Sequence, residues 1–183
     1  MRAKQAEAAD YRAFFADVYE DAVRFASRRT PTADRAEDAV AEAMLVAWRR
    51  FADAPADVGE RRAWLFGIVR NTLLNANRSE ARRSALAVRV GDSGGEMEAP
   101  DHADQVAQRL DLARAWRRLA VEQQEALSLA ILENLSAAQA ARVIGITVVA
   151  YRTRLSRARR ALHAHMSSPR TSTAVRATQE TTS

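Results

Sequence analysis

The stretch 147–165 contains the residues of this chain whose chemistry is easiest to interpret. It holds five arginines and no acidic residue. At about 100° per helical residue, Thr153, Ser156 and Arg157 fall opposite the apolar side chains, and Arg152 lies at the edge of the apolar sector. Arginine can bond two acceptors of guanine, and a hydroxyl can bond a phosphate or a base edge. The pattern predicts a helix that reads duplex DNA, with an arginine-rich surface helix as the alternative.

The residues before this stretch predict how the helix is positioned. Ser136 followed by Gln139 is a capping box that begins a short helix. Gly145 ends that helix, and Thr147 can cap the next one. A short helix, a glycine turn and a longer basic helix form a helix-turn-helix. The complete motif favours DNA reading over an arginine-rich surface.

No residue pattern in the chain indicates a catalytic or metal site. The chain has no cysteine, which excludes disulfides and thiolate metal sites, and it has no glycine-rich phosphate loop. Glu37, Asp38 and Glu42 could be metal ligands, but no histidine or second acidic cluster accompanies them. Acidic residues near a helix N-terminus are common because they interact favourably with the helix dipole. We therefore expect no enzymatic activity, no metal ion and no cofactor.

The charged residues are divided into blocks along the chain. The whole chain has 28 basic and 23 acidic residues, a net charge of +5. Residues 61–90 contain seven arginines and one acid, and residues 109–165 contain ten arginines and four acids. Between them, residues 91–108 contain five acids and no base. Two basic blocks separated by an acidic one suggest contact with a polyanion, with solvated surface charge as the alternative.

The spacing of apolar residues predicts an all-α fold with two small helical domains joined by a flexible acidic linker. Apolar residues recur at helical spacing in the segments before the linker and again after it. The predicted limits are 8–88 for an N-terminal helical bundle, 89–107 for the linker, 108–166 for the helix-turn-helix domain and 167–183 for a disordered tail. There is no run of about 20 apolar residues and no signal-peptide core. We therefore expect a cytoplasmic protein.

Three segments follow one another in a recognisable order. They are AEDAVAEAMLVAWRRF at 36–51, RAWLFGIVRNTLLNANRSEARR at 62–83 and LSAAQAARVIGITVVAYRTRLSRARRAL at 135–162. In order and spacing they resemble the extracytoplasmic-function sigma factors of bacterial RNA polymerase, over about residues 11–166. The resemblance implies a protein that binds core RNA polymerase, recognises the −10 and −35 promoter elements and promotes promoter melting.

The resemblance also implies roles for individual residues. The segment 36–51 resembles the helix that docks on the clamp helices of the largest polymerase subunit, and its candidate contacts are Asp38, Glu42, Leu45 and Trp48. The following loop and helix resemble the part that reads the −10 element, with candidates Trp64, Arg70, Asn71 and Asn75. The last basic helix resembles the part that reads the −35 duplex, with candidates Arg152, Thr153, Ser156 and Arg157. Trp64 could instead belong to the core.

The partners that the resemblance implies are promoter DNA and core RNA polymerase. The contacts include the second-largest polymerase subunit, with one copy of the chain per holoenzyme, which would place the protein at the nucleoid. The acidic linker resembles the family's connector toward the RNA exit path. An anti-sigma factor that covers both domains often restrains members of this family.

The chain departs from the family pattern at several positions. Ala130 stands where the family often has a basic residue, and Val149, Ala150 and Tyr151 replace its usual Gly-Thr-Val. These departures affect the expected promoter sequence and affinity more than the expected function. A stand-alone helix-turn-helix regulator is the alternative function. Such a regulator usually binds a palindrome as a dimer, and the sequence shows no obvious dimerisation helix.

Overall fold

The computed structural model describes residues 2–80 and 103–167, with side chains described within 8–76 and 106–167. These residues form helices and turns and contain no strand, which confirms the all-α prediction. The helices are α1 (Arg2–Ser27), α2 (Ala33–Arg49), α3 (Val58–Glu80), α4 (Ala103–Arg117), α5 (Val121–Ile131), α6 (Ala137–Ile144) and α7 (Val148–Ser167), with a short 3-10 turn at Phe51–Asp53. The linker residues 81–102 and the tail beyond 167 lie outside the described residues.

The predicted capping residues begin and end the helices of the helix-turn-helix. Ser136 Oγ accepts from the Gln139 backbone N–H at 3.3 Å, and Gln139 Oε1 accepts from the Ser136 backbone N–H at 2.9 Å. Gly145 ends α6 with φ of 80°, a left-handed conformation that glycine adopts without a steric penalty. Thr147 Oγ1 accepts from the Ala150 backbone N–H at 3.2 Å and so caps α7. The capping predictions for both helices are confirmed.

The N-terminal half consists of α1, α2 and α3, which pack around a shared apolar core. The Phe25 and Phe66 rings stack with their centroids 4.6 Å apart, and both side chains are fully buried. The inward face of α2 is built largely from alanine, which lets the neighbouring helices approach closely. Its buried residues are Ala36, Ala39, Val40, Ala43, Met44 and Ala47.

The C-terminal half consists of α4 to α7, and a smaller core supports its last helix. Trp116, Leu119, Leu127 and Ala158 form this core, which joins α4 and α5 to the middle of α7. Helix α4 begins at Ala103, inside the segment 89–107 that the sequence predicts to be linker.

The two halves contact each other through an interdomain interface. Its N-terminal side is formed by α3 and the end of α1, and its C-terminal side by α5, α6 and Glu133. The main core contains residues of both halves. Gly67 of α3 faces α6 so closely that an added Cβ would lie 3.8 Å from Val143 Cα. The sequence predicted the two domains but did not predict this contact.

Candidate nucleic-acid interface

The −35 candidates all lie on the exposed face of α7. Arg152, Thr153, Ser156 and Arg157 are each solvent-exposed. At about 100° per residue they span about 140° of the helix circumference. No carboxylate among the described residues lies within 4.0 Å of Arg152 or Arg157. Both guanidinium groups are therefore available to bind phosphate or the acceptors of guanine.

The buried face of α7 fixes the direction in which these residues point. Tyr151 and Ala158 are buried on that face, at 1% and 0% exposure. The Tyr151 hydroxyl donates to the Ala126 carbonyl at 2.9 Å, which ties the first turn of α7 to α5. Burial raises the pKa of Tyr151 to about 12, with the nearby Arg159 charge acting in the opposite direction. The hydroxyl therefore remains a hydrogen-bond donor at physiological pH.

The polymerase-binding candidates form a second exposed surface, on α2. Asp38, Glu42, Leu45 and Trp48 are all exposed, with Leu45 at 59% and Trp48 at 41%. The centroids of the Trp48 and Tyr11 rings lie 4.8 Å apart in an edge-on arrangement, so that Tyr11 covers one side of the Trp48 ring. Exposed apolar side chains flanked by carboxylates suit a protein partner with basic residues better than a polyanion.

The −10 candidates of α3 differ from one another in exposure. Asn71 and Asn75 are exposed, whereas Trp64 is partly buried and packs against the main core. Arg70 is held by the other half of the chain: its Nε donates to Glu125 Oε1 at 2.6 Å, and its Nη2 donates to Glu125 Oε2 at 3.2 Å. Only 15% of the Arg70 side chain is exposed. The structure thus brings two of the four candidates to the surface.

A second polar cluster lies in the interdomain interface around Glu133, which is 2% exposed. Arg28 Nη1 donates to Glu133 Oε1 at 2.9 Å, and Arg29 Nη1 lies 3.8 Å from the same oxygen. Arg29 also donates to Ser128 Oγ at 2.8 Å, and Arg62 donates to the Glu133 carbonyl at 2.9 Å. Glu133 therefore contacts three arginines of the N-terminal half, two through its carboxylate and one through its backbone carbonyl.

Arg29 is the most deeply buried charge of this cluster. Its side chain is fully buried, with the guanidinium carbon 3.6 Å from the centroid of the Phe25 ring. Burial lowers the pKa of Arg29 to about 10, while the carboxylates of Glu133 and Glu125 act to raise it. The group therefore remains charged at pH 7 and requires the Glu133 carboxylate as a counter-ion.

Sequence reasoning missed the partners across the interdomain interface. Glu125 and Glu133 are two of only four acids in the arginine-rich block 109–165. Glu125 is followed directly by the buried residues Ala126 and Leu127 of α5, and it is itself 5% exposed. An acid within an apolar helical run, in a block dominated by arginine, is the signal that could have indicated a buried ion pair.

The described residues contain no group of three or more histidine, cysteine or acidic side chains placed to hold a metal ion. Within the same residues, no helix is both long enough and apolar enough to cross a bilayer.

Comparison with known protein families matches both halves of the chain. The family model for sigma-70 region 2 matches residues 14–83, and the model for sigma-70 region 4 matches residues 109–162. The first match contains the candidates on α2 and α3, and the second contains α6, the Gly145 turn and α7 as far as residue 162.

Individual proteins resemble the chain over most of its length. The ECF RNA polymerase sigma factor SigL of Mycobacterium tuberculosis is 32% identical over 164 residues, covering 87% of this chain and 90% of SigL. The RNA polymerase sigma factor CnrH of Cupriavidus metallidurans is 33% identical over 137 residues, covering 70% of this chain and 71% of CnrH.

Two solved structures share the fold. CnrH in complex with the cytosolic domain of CnrY superposes with a TM-score of 0.55 and 26% identity, covering 88% of this chain and 92% of that one. The sigma factor RpoE of Bartonella quintana, solved with the anti-sigma factor NepR, gives a TM-score of 0.63 at 24% identity, covering 88% and 99%.

Proposed function

Because the chain belongs to the extracytoplasmic-function sigma factors of the sigma-70 family, we propose that its two halves read two separate promoter elements for core RNA polymerase. Its function is that of an RNA polymerase sigma factor in transcription initiation. The main support for this proposal is the exposed face of α7, where arginines and hydroxyl groups lie on the side of the helix opposite its buried face. In this division the polymerase performs the chemistry of RNA synthesis, and the chain contributes binding and recognition.

The proposed −35 contacts are made by α7 in the major groove of the duplex. Arg152 and Arg157 supply charge-assisted bonds to phosphates or guanine, and Thr153 and Ser156 supply neutral ones. Tyr151 and Ala158 support the opposite face, so the four side chains approach the groove from a rigid helix. A rigid helix favours recognition because little backbone freedom remains to be lost on binding.

The proposed −10 contacts are made by α3 with strands that have separated. Asn71 and Asn75 are exposed and can bond base edges. Arg70 can bond a backbone phosphate once it leaves Glu125, because a phosphate replaces the carboxylate as its anionic partner. Trp64 packs against the core, so we assign stacking with an unpaired base to it only after a local rearrangement.

The proposed surface for core polymerase is the α2 face of Asp38, Glu42, Leu45 and Trp48. The apolar pair would supply the buried centre of the contact, and the acids would pair with basic residues at its edge. We assign this surface to the clamp helices of the largest polymerase subunit, with further contacts to the second-largest subunit.

Reading both elements requires the two halves to separate. Elements at −10 and −35 are about 25 base pairs apart, which is ~85 Å at 3.4 Å per base pair. Helix α3 is only ~35 Å long at 1.5 Å per residue, and it packs directly against α6. The interdomain interface must therefore open when the chain engages a promoter.

An anti-sigma factor is the further partner that we propose. CnrH was solved with the cytosolic domain of CnrY, and RpoE with the anti-sigma factor NepR. A protein that binds both halves of this chain would hold the interdomain interface closed and would keep Arg70 away from DNA.

Co-elution of the full chain with bacterial core RNA polymerase on gel filtration tests the proposal. We expect one copy per polymerase, little binding of the free chain to duplex DNA at physiological salt, and loss of co-elution for Trp48→Ala. Val106→Ala, which removes another exposed apolar side chain, is the matched control and should co-elute normally. Tight binding to duplex DNA without any polymerase binding would instead identify a stand-alone helix-turn-helix regulator.

A further inference from the structure

Val149 is an unusual side chain on the exposed face of α7. It is 73% exposed, and the other exposed large apolar side chain of this helix, Met166 at 48%, lies in the last turn. The neighbouring residues Val148 and Tyr151 are partly or fully buried. Core packing therefore explains the large apolar residues Val148 and Tyr151 but not Val149.

Its angular position places Val149 at the centre of the DNA-facing surface. At about 100° per residue, Val149 lies within about 40° of Thr153 and within about 20° of both Ser156 and Arg160. Arg152 and Arg157 flank it at about 60° and about 80°. A side chain at this position enters the groove together with the −35 candidates.

Val149 also lies at the end of the helix that enters the groove. Thr147 caps α7 through the Ala150 N–H, so Val149 is the second residue of the helix. The N-terminal residues of a recognition helix are those that contact base edges. A valine side chain there cannot donate or accept a hydrogen bond, so it can discriminate between bases only through an apolar contact.

The major groove offers one apolar group on the base edges, the 5-methyl group of thymine. We propose that Val149 is a specificity-determining residue that contacts a thymine 5-methyl group in the −35 element. This inference rests on the proposed reading of that element by α7. It adds a base identity that the arginines and hydroxyls do not specify.

The hydrogen bond of Thr153 supports an apolar contact at this point of the helix. Thr153 Oγ1 donates its proton to the Val149 carbonyl at 3.0 Å. The hydroxyl therefore has no proton left for a base acceptor, although its oxygen can still accept. The methyl group of Thr153 remains for an apolar contact one helical turn after Val149, and together the two residues suit a thymine methyl group better than a guanine.

The alternative is that Val149 is an exposed apolar residue without a function. Single exposed apolar residues are common on protein surfaces. Valine is a weaker helix former than alanine, however, so an exposed valine gives the helix no local stability. The test must therefore measure base preference directly, because neither stability nor overall affinity separates the two explanations.

The first experiment measures transcription by core RNA polymerase carrying the full chain, from promoters with a randomised −35 region. We expect the wild type to select thymine at one position, Val149→Ala to lose that selection, and Val149→Thr, which keeps one methyl group, to retain part of it. Met166→Ala is the matched control and should select the same sequences as the wild type.

The second experiment removes only the methyl group from the DNA. In the selected promoter, deoxyuridine replaces thymidine at that position, and binding of the holoenzyme is measured at limiting concentration. We expect the wild type to bind about fourfold more weakly, the ratio for one methyl group that is no longer removed from water. Val149→Ala should show a clearly smaller difference between the two promoters than the wild type, with the remainder due to the Thr153 methyl group.

Two outcomes would overturn the inference and leave the proposed function intact. In one, the wild type initiates from selected promoters, yet Val149→Ala keeps the same thymine preference and the same sensitivity to deoxyuridine. In the other, Val149→Ala weakens binding to core polymerase and leaves promoter preference unchanged, which would assign the residue to a protein contact. Absence of any promoter-dependent transcription by the wild type would overturn the proposed function itself.

Discussion

The two surfaces assigned to DNA, on α7 and on α3, hold their arginines in different ways. Arg157 of α7 is exposed and has no carboxylate partner among the described residues. Arg70 of α3 is 15% exposed and is bound by both oxygens of Glu125. One surface is ready to bind an anion, whereas the other must first exchange the anion it already holds.

The interdomain interface that holds Arg70 is built so that such an exchange is feasible. Burying an ion pair costs desolvation free energy that nearly offsets the attraction between the charges. Arg29 illustrates this cost, because within the described residues its buried Nε has no hydrogen-bond partner. Interfaces between domains of one chain resemble transient protein contacts and are more polar than obligate interfaces, although this one also contains apolar residues of the shared core. We therefore expect the interface to specify one closed arrangement and to open without unfolding either half.

The largest expected effect comes from removing the carboxylate at the centre of the interface. Glu133→Ala leaves Arg29 buried without its counter-ion, which costs about 3–5 kcal/mol in the closed arrangement. We expect the two halves to separate, as measured by the distance between spin labels placed on α2 and α7 in the full chain. Glu122→Ala removes an exposed acid of α5 and should leave that distance unchanged. A closed Glu133→Ala variant would contradict the central role of this carboxylate.

The next effect tests the surface that is already accessible. Arg157→Ala should weaken use of a −35-dependent promoter by the holoenzyme by about 10-fold or more, because one good arginine–base contact is worth about 1–3 kcal/mol. Binding to core polymerase should not change, which gel filtration can verify. Arg114→Ala, an exposed arginine that pairs with Asp111, is the control. Equal loss of polymerase binding for Arg157→Ala would contradict the assignment of this face to DNA.

A smaller effect of opposite sign is expected at the occupied surface. Glu125→Gln weakens the hold on Arg70 and should increase binding of the free chain to single-stranded −10 DNA by about threefold to tenfold, since a two-bond ion pair becomes at most one hydrogen bond to a neutral amide oxygen. Fluorescence anisotropy at low salt measures this change. Arg70→Ala alone should reduce the same binding. If Glu125→Gln bound no better than the wild type, competition between Glu125 and DNA would be excluded.

The smallest effect on promoter recognition is expected at Tyr151, which supports the accessible surface from the buried side of α7. Tyr151→Phe removes the hydrogen bond to the Ala126 carbonyl, which should lower the free energy of unfolding by about 1 kcal/mol, the net contribution of a typical intramolecular hydrogen bond. Urea unfolding of the full chain measures the change. The variant should still use its promoter, because the exposed residues of α7 remain in place. A selective loss of −35 recognition without a loss of stability would show that the hydroxyl orients the helix.

Several features of this protein could be read from the sequence because they depend on residues close together in the chain. The capping box at Ser136, the glycine turn at Gly145 and the cap at Thr147 each involve groups within four residues of one another. Helical periodicity likewise predicted which side of α7 would be exposed, since side chains three and four residues apart share one face. These local rules predicted the all-α fold and the accessible candidates on α7, whereas the candidates on α2 came from the family resemblance.

The tertiary structure alone decided which of those candidates are free. Arg70 meets Glu125 across 55 residues, and Arg28 meets Glu133 across 105 residues. No local rule relates such partners, because their meeting depends on how the two helical halves pack against each other. Tertiary packing also placed Trp64 partly against the main core. The sequence therefore determined the chemistry that each face carries, and the long-range packing determined which face can use it before the halves separate.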